Sequence, residues 1–376
     1  MRTSLASRSL ASRFRAPVLL TSIAALAATG ATGCGSSTAG ATGAGGAATT
    51  GGTTTGSSSG ATSSSTSSGS GSGTGGGAAG SLSIEYPSIP VPAGGEDTRC
   101  VVLRVGNAAA LHVGEIHNVL SAASHHLIIY RTNDTTEQKT PFACKPFTDI
   151  THPEKGTPLM ISQKHDDLLT LPKGVAFTFQ PDQMVRLEMH FINTTMGPLD
   201  ASAKVTFSPV PDADFKDEAD FLFFGNIDID VPAHGTQTVG PTFIPSPPQA
   251  ANAKFFGITG HTHRFGTDVV VSTAPSASGP NSSVYDVPGW SWSEPKTVYY
   301  DPPFTLPSGG GFNFTCSYAN TSDASVGFGE SATQEMCFFW TYYYPSQGAF
   351  VCIDTTQFGG LSFCCPGNPL CAQAFQ

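Results

Sequence analysis

The sequence predicts an all-β protein: two consecutive antiparallel β-sandwich domains of jelly-roll-like form, behind a signal peptide and a disordered Gly/Ser/Thr linker. Three observations carry that expectation. No stretch shows a long amphipathic helical period. Short runs of β-branched and aromatic residues recur instead, each cut by Pro, Gly, Asn or Asp. A polar, proline-bearing segment, residues 209–220, then divides these runs into two groups. The expected organisation is a signal over 1–33, a linker over 34–81, a sandwich over 82–212, a second over 213–350 and a Cys-rich tail over 351–376.

The N-terminus comes first. Residues 1–17 carry Arg2, Arg8, Arg13 and Arg15 and no acid, and residues 18–31 form a short apolar run. A basic start followed by a run too short to span a bilayer reads as a secretory signal. The stretch Ala31-Thr32-Gly33-Cys34 resembles the cleavage box of bacterial lipoproteins, with Ala where Leu is usual three residues before Cys. Acylation of Cys34 implies an exported outer-membrane or cell-surface lipoprotein, attached to the membrane only through that anchor. Cleavage by the ordinary signal peptidase leaves Cys34 free and the chain secreted or periplasmic. Residues 35–81 contain only Gly, Ser, Thr and Ala, which cannot form a core and reads as a flexible tether.

Composition narrows the classes of partner. The net charge is −10, 12% of residues are charged, and no basic run follows residue 17. Nucleic acid is therefore not an expected partner. Nine cysteines leave an even eight once Cys34 is set aside: Cys100, Cys144, Cys316, Cys337, Cys352, Cys364, Cys365 and Cys371. An even set in an exported chain implies disulfides. No Cys-x-x-Cys pair occurs, which argues against a zinc ribbon and a thioredoxin-type redox role.

The strand-like runs carry the chemistry. In Gly260-His261-Thr262-His263-Arg264-Phe265-Gly266, which leads into a strand-like run, two His at i and i+2 of an extended segment share a face. Two imidazoles on one face can bind a transition metal, although such a pair is also ordinary polar surface. In Ser124-His125-His126-Leu127, adjacent side chains of a regular strand face opposite ways. Both reach one metal only through a bulge or at a strand end; otherwise one is buried and one exposed. Along 186–192, Leu187, Met189 and Phe191 alternate against Arg186, Glu188, His190 and Ile192, so His190 lies on the more polar face. Met336, in Gln334-Glu335-Met336-Cys337, is most simply a core residue. A thioether beside two imidazoles is also a soft ligand suited to Cu(I).

Taken in order these are His-His, His, His-x-His and Met-Cys. That order, with its approximate separations, resembles the copper type II, ascorbate-dependent monooxygenases, the family of peptidylglycine α-hydroxylating monooxygenase and dopamine β-monooxygenase. The resemblance covers most of residues 95–345. It implies an all-nitrogen copper site for electron transfer at His125, His126 and His190. It implies a second copper site, which binds oxygen and hydroxylates, at His261, His263 and Met336, with catalysis centred there. Disulfides Cys100–Cys144 and Cys316–Cys337 are implied, the latter clamping the Met336 strand. Two coppers per chain, ascorbate or another one-electron donor, dioxygen and a small-molecule substrate follow from the same likeness. So do two sandwiches, one copper on each, facing a solvent-filled cleft.

The chain also departs from the family pattern. Peptide-amidating members hold a substrate carboxylate with an Arg two residues before His-x-His and an Asn and a Tyr just after the Met. Here those positions are Thr259, Phe338 and Trp340, so no charged clamp is expected. Phe338 and Trp340 suit either an apolar substrate face or a sandwich core. Glu188 stands where the family has Gln, two residues before the third histidine. The tail from Val351 lies beyond the likeness and is expected to be a disulfide-tied appendage. His112, His117, His152, His165 and His234 match no motif and read as polar surface, with His117 the candidate for supporting the His pair. Asn-x-Ser/Thr patterns at Asn133, Asn193, Asn281, Asn313 and Asn320 mean little in a bacterial lipoprotein. A copper-binding surface lipoprotein without catalysis is the alternative function, and an incidental double sandwich without copper is a third.

Overall fold

Strands dominate the computed structural model, which describes residues 80–145 and 156–372. The signal, nearly all of the linker, Cys34 and His152 lie outside the described residues. Among the described residues helical structure is limited to three short 3-10 turns, as the absence of a helical period led one to expect. The described residues fall within one compact unit.

The first sandwich pairs two sheets. One runs in the order Leu82–Val91, Leu199–Val210, Leu111–Leu120, Val175–Phe179; the other Gln138–Ala143, Glu96–Arg104, Met184–Ile192, Ser124–Thr132, Gly156–Ser162. The second sandwich sets Thr236–Pro245, Gly311–Ala319, Gly266–Ala274, Ser282–Asp286 against a sheet of six strands. These are Val298–Phe304, Lys254–His261, Cys337–Tyr344, Asp220–Asn226, Phe350–Thr355 and Leu361–Cys365. Most pairings are antiparallel; Asp220–Asn226 pairs in parallel with Phe350–Thr355, and Asp217–Glu218 pairs in parallel with Val175–Phe179 at the end of the first sandwich's first sheet.

The two halves repeat a local device. Asn193 gives Nδ2–H to the carbonyls of Val91 and Gly197 and accepts from Thr195. Asn320 does the same with Val231, Pro232, Ala324 and Ser322. Each amide satisfies backbone groups that leave a strand end without ladder partners. Both are buried, so these two Asn-x-Ser/Thr patterns are structural turns.

The tail is no appendage. Phe350–Thr355 is hydrogen-bonded into the second sandwich, and Val351 and Ile353 are core residues. The four disulfides are Cys100–Cys144, Cys316–Cys337, Cys352–Cys364 and Cys365–Cys371.

The outer face of the second sandwich's larger sheet is apolar. Phe221, Phe223, Phe256, Phe338, Trp340 and Tyr342 join one continuous cluster with Leu127, Ile128 and Tyr130 of the first sandwich. Burying each such side chain contributes about 1.5–3 kcal/mol, so the halves are closed on each other by a core layer. Phe338 fits because Gly225 lies beneath it: a Cβ there would stand 1.8 Å from the ring. The implied solvent-filled cleft is thus replaced, around the six candidate ligands, by a buried interface. Five of the six are at most 5% exposed, and His125 is half-buried.

Candidate metal centre

The first histidine set is built by strand register. Ser124–Thr132 pairs with Met184–Ile192 so that His126 stands opposite His190, and opposite residues on neighbouring strands share a face. A regular strand would send His125 the other way. The register shifts between Ser124 and His126, and this bulge turns His125 toward its neighbours. Ring centroids are 5.5 Å apart for His125–His126, 5.4 Å for His125–His190 and 4.9 Å for His126–His190. One nitrogen from each lies within 4.8 Å of the others. His125 Nδ1 and His126 Nδ1 are 3.3 Å apart, about the separation of two nitrogens bound at roughly 2.0–2.1 Å to one tetrahedral ion. His190 gives Nε2–H to the Glu96 carboxylate at 3.1 Å, which leaves Nδ1 as its metal-facing lone pair.

The second set is built by a turn. His261 is the last residue of Lys254–His261, and His263 sits in the connection to Gly266–Ala274. Their rings are 5.2 Å apart and nearly perpendicular. Proximity therefore comes from the chain turning after His261, where the sequence suggested one extended strand. Gly266 N–H donates to His263 O at 3.0 Å. The turn is tight enough that a Cβ on Gly266 would stand 1.9 Å from Thr262 Oγ1. Glu335, fully buried, accepts from His263 N at 2.8 Å and Phe265 N at 2.7 Å. His263 Nδ1–H donates to Gln334 O at 3.0 Å, which leaves Nε2 for a metal.

Met336 follows directly. His261 pairs with Phe338 across the sheet, and Met336 stands two residues before Phe338, immediately ahead of strand Cys337–Tyr344. Met336 is buried, its carbonyl accepts from Tyr318 OH at 2.7 Å, and the next residue is tied to Cys316.

Electrostatics suits metal binding. Burial pushes His125 down to about 3 and His263 to about 4. It holds His126 and His261 well below their ordinary value. These four rings are neutral, the state a metal needs. After burial, His126 is lowered by His190 and His125 and then by His261 and His263; the two sets feel each other across the interface. Burial also pushes the Glu335 carboxyl up to about 7, against the backbone N–H donors that favour its charge.

Three contacts join the sets across the interface, and sequence reading missed all three. Glu96 Oε1, which accepts from His190, also accepts from Ala332 N at 3.1 Å, in the loop leading to Met336. Gln163 of the first sandwich is 2.8 Å from His261 Nδ1. Trp292 of the second stacks on His125, with centroids 5.5 Å apart and planes at 23°. Glu335 was missed too, although it adjoins Met336. Only pairings between distant segments reveal these roles, so no local spacing signalled them.

Of the remaining candidates, exposed His165 lies near enough to His125 to act on it electrostatically, and the others fall elsewhere. His117 pairs with Asp166 at 2.8 Å on the partly exposed rim of the other sheet and supports no ligand. His112 stacks on Phe215 and bonds Thr178, and His234 pairs with Asp323 at the surface. Thr259 bonds Thr297. Phe338 packs on Phe223, and Trp340 lies 6.3 Å from His261 inside the cluster, so both are core. Glu188 is buried and accepts from Tyr130 OH at 3.1 Å.

Comparison with known proteins agrees with this chemistry. Residues 246–360 match the family model of the copper type II ascorbate-dependent monooxygenase C-terminal domain. The match contains His261, His263 and Met336; the first set lies outside it. No curated protein matches the sequence. Among solved structures, the chain is similar to PNGase F, a glycosylasparaginase from Flavobacterium meningosepticum, at 10% identity and a TM-score of 0.34, covering 72% of this chain and 97% of that one. It is also similar to the major capsid protein P2 of bacteriophage PM2, at 7% identity and 0.31, covering 70% and 100%. At these scores neither likeness bears on function.

Proposed function

We propose that the chain is a dicopper monooxygenase that hydroxylates a C–H bond of a small organic substrate, using dioxygen and ascorbate or another one-electron donor. The observation that carries this reading is the pair of histidine sets meeting at one interface, in which burial holds His125, His126, His261 and His263 neutral. In them the outer nitrogens of His190, His261 and His263 are already held by protein groups. His125, His126 and His190 hold the first copper; His261, His263 and Met336 hold the second. Copper supplies one-electron redox chemistry and reactivity toward dioxygen. The chain supplies the rest. Imidazoles accommodate both oxidation states at the first set, and a thioether favours the reduced state at the second. Glu335 fixes the His261–His263 turn, and the closed interface shields every ligand except the half-buried His125 from water. Thr259, Phe338 and Trp340 offer no carboxylate clamp, so the substrate is not a glycine-extended peptide held as in amidating members. We place the protein outside the cytoplasm, tethered through Cys34.

The test is copper titration of the mature chain with X-ray absorption on the reduced form. The expected result is two coppers with one sulfur scatterer between them, the sulfur vanishing in Met336→Ala together with substrate-coupled oxygen uptake. Ordinary turnover by a fully copper-loaded Met336→Ala protein overturns the assignment. Two tightly held coppers without oxygen uptake on any reductant would make the chain a copper-binding lipoprotein instead.

A further inference from the structure

One contact between the halves goes beyond holding them together. Gln163 follows strand Gly156–Ser162 of the first sandwich and is 5% exposed. Its side-chain amide meets His261 Nδ1 at 2.8 Å. At the other end of each group, Gln163 Oε1 and His261 Nε2 are buried without a hydrogen-bond partner. A neutral imidazole carries one proton. If Nε2 gives its lone pair to copper, Nδ1 must hold that proton and needs an acceptor. The two ends of an amide have nearly the same shape, so a half-turn of the Gln163 amide puts Oε1 on Nδ1–H without moving the chain. No other side chain bonds His261 Nδ1 among the described hydrogen bonds.

We propose that Gln163 is a positioning residue for the second copper: its amide oxygen fixes the tautomer and ring plane of His261. The inference rests on the dicopper reading. Its consequence is that the second copper site, though its ligands all come from the second sandwich, is complete only when the first is closed against it. His263 needs no such help, because its Nδ1 is held by Gln334 within its own half.

The experiment uses the full mature chain as wild type, Gln163→Leu and Gln163→Glu. Cu(I) affinity is measured by competition with a chromogenic chelator, and the sulfur scatterer by X-ray absorption. Leu offers no acceptor, and the affinity of the sulfur-ligated copper is expected to fall about 10- to 100-fold, the usual cost of removing such a partner. The first copper should be unchanged. Glu accepts from Nδ1–H and is expected to hold the second copper at least as tightly as wild type, with a lower reduction potential from the added charge. This rescue separates positioning from gap filling and decides the matter even where Leu prevents folding. A Gln163→Leu chain that keeps wild-type affinity, or a Glu chain as weakened as Leu, overturns the role of Gln163 alone. A wild-type chain without a sulfur-ligated copper overturns the dicopper reading and this role with it.

Discussion

Removing the Glu96 carboxylate should weaken the first copper while leaving the second sandwich's ligands in place. A single oxygen, Oε1, accepts from both His190 Nε2 and Ala332 N at 3.1 Å. His190 is 5% exposed, so in Glu96→Ala its Nε2–H is left with little access to water. An unmet buried donor costs about 1–3 kcal/mol. The ring can escape that cost only by turning, which takes Nδ1 away from His125 and His126. The expected loss of copper affinity is therefore about 1.5–3 kcal/mol, or roughly 10- to 150-fold. Glu96→Gln is the control. Its carbonyl oxygen can occupy the same place and accept from both donors, so the expected loss is only a few-fold. The assay is copper titration of the full chain, reading the first site by paramagnetic resonance of Cu(II). Equal affinity in the Ala and wild-type proteins, or equal losses in Ala and Gln, would falsify the assignment of Glu96 as the group that orients His190.

Two further outcomes test other parts of the structure. Trp292 lies against His125, so Cu(II) at the first set should quench its fluorescence first and most, and Trp292→Phe should remove that step of the titration. Quenching unchanged in Trp292→Phe would mean that the indole does not cap this site. Asp220 is buried beside Ser346 and Phe221 N, and burial raises its carboxyl to about 6 from 3.8. The folded state therefore holds this proton more tightly than the unfolded chain. Asp220 costs stability increasingly as pH rises from about 4 to 6, reaching at most about 3 kcal/mol. Asp220→Asn can meet both neighbours without charge and should raise the urea midpoint near pH 8 but not near pH 3. An unchanged midpoint near pH 8 would contradict it.

Much of the fold was legible because strand periodicity and turn residues are local properties. Alternation along 184–192 placed His190 with Glu188 and Arg186 on one face, and the register bears this out. A two-His run can serve one metal only through a bulge or at a strand end, and the register shifts between Ser124 and His126, at the start of strand Ser124–Thr132. The tail misled because nothing in residues 350–355 reveals that Asp220–Asn226 leaves an edge for a parallel strand. Phe338 and Trp340 stayed ambiguous for a related reason: an aromatic ring facing substrate and one facing another sheet have the same sequence.

The sequence by itself determined the β-architecture and the order of the six candidate ligands, because side-chain chemistry and a period of two are written residue by residue. Only the tertiary structure decided that the two sets share a closed interface. It also decided that Gln163 and Trp292 reach from one half to histidines of the other, that Glu96 ties His190 to the loop at Ala332, and that Glu335 holds the His263 turn. Those contacts join segments dozens to hundreds of residues apart. They depend on strand register and on which apolar face of the second sandwich meets the first, and that choice is made by the summed burial of the whole interface.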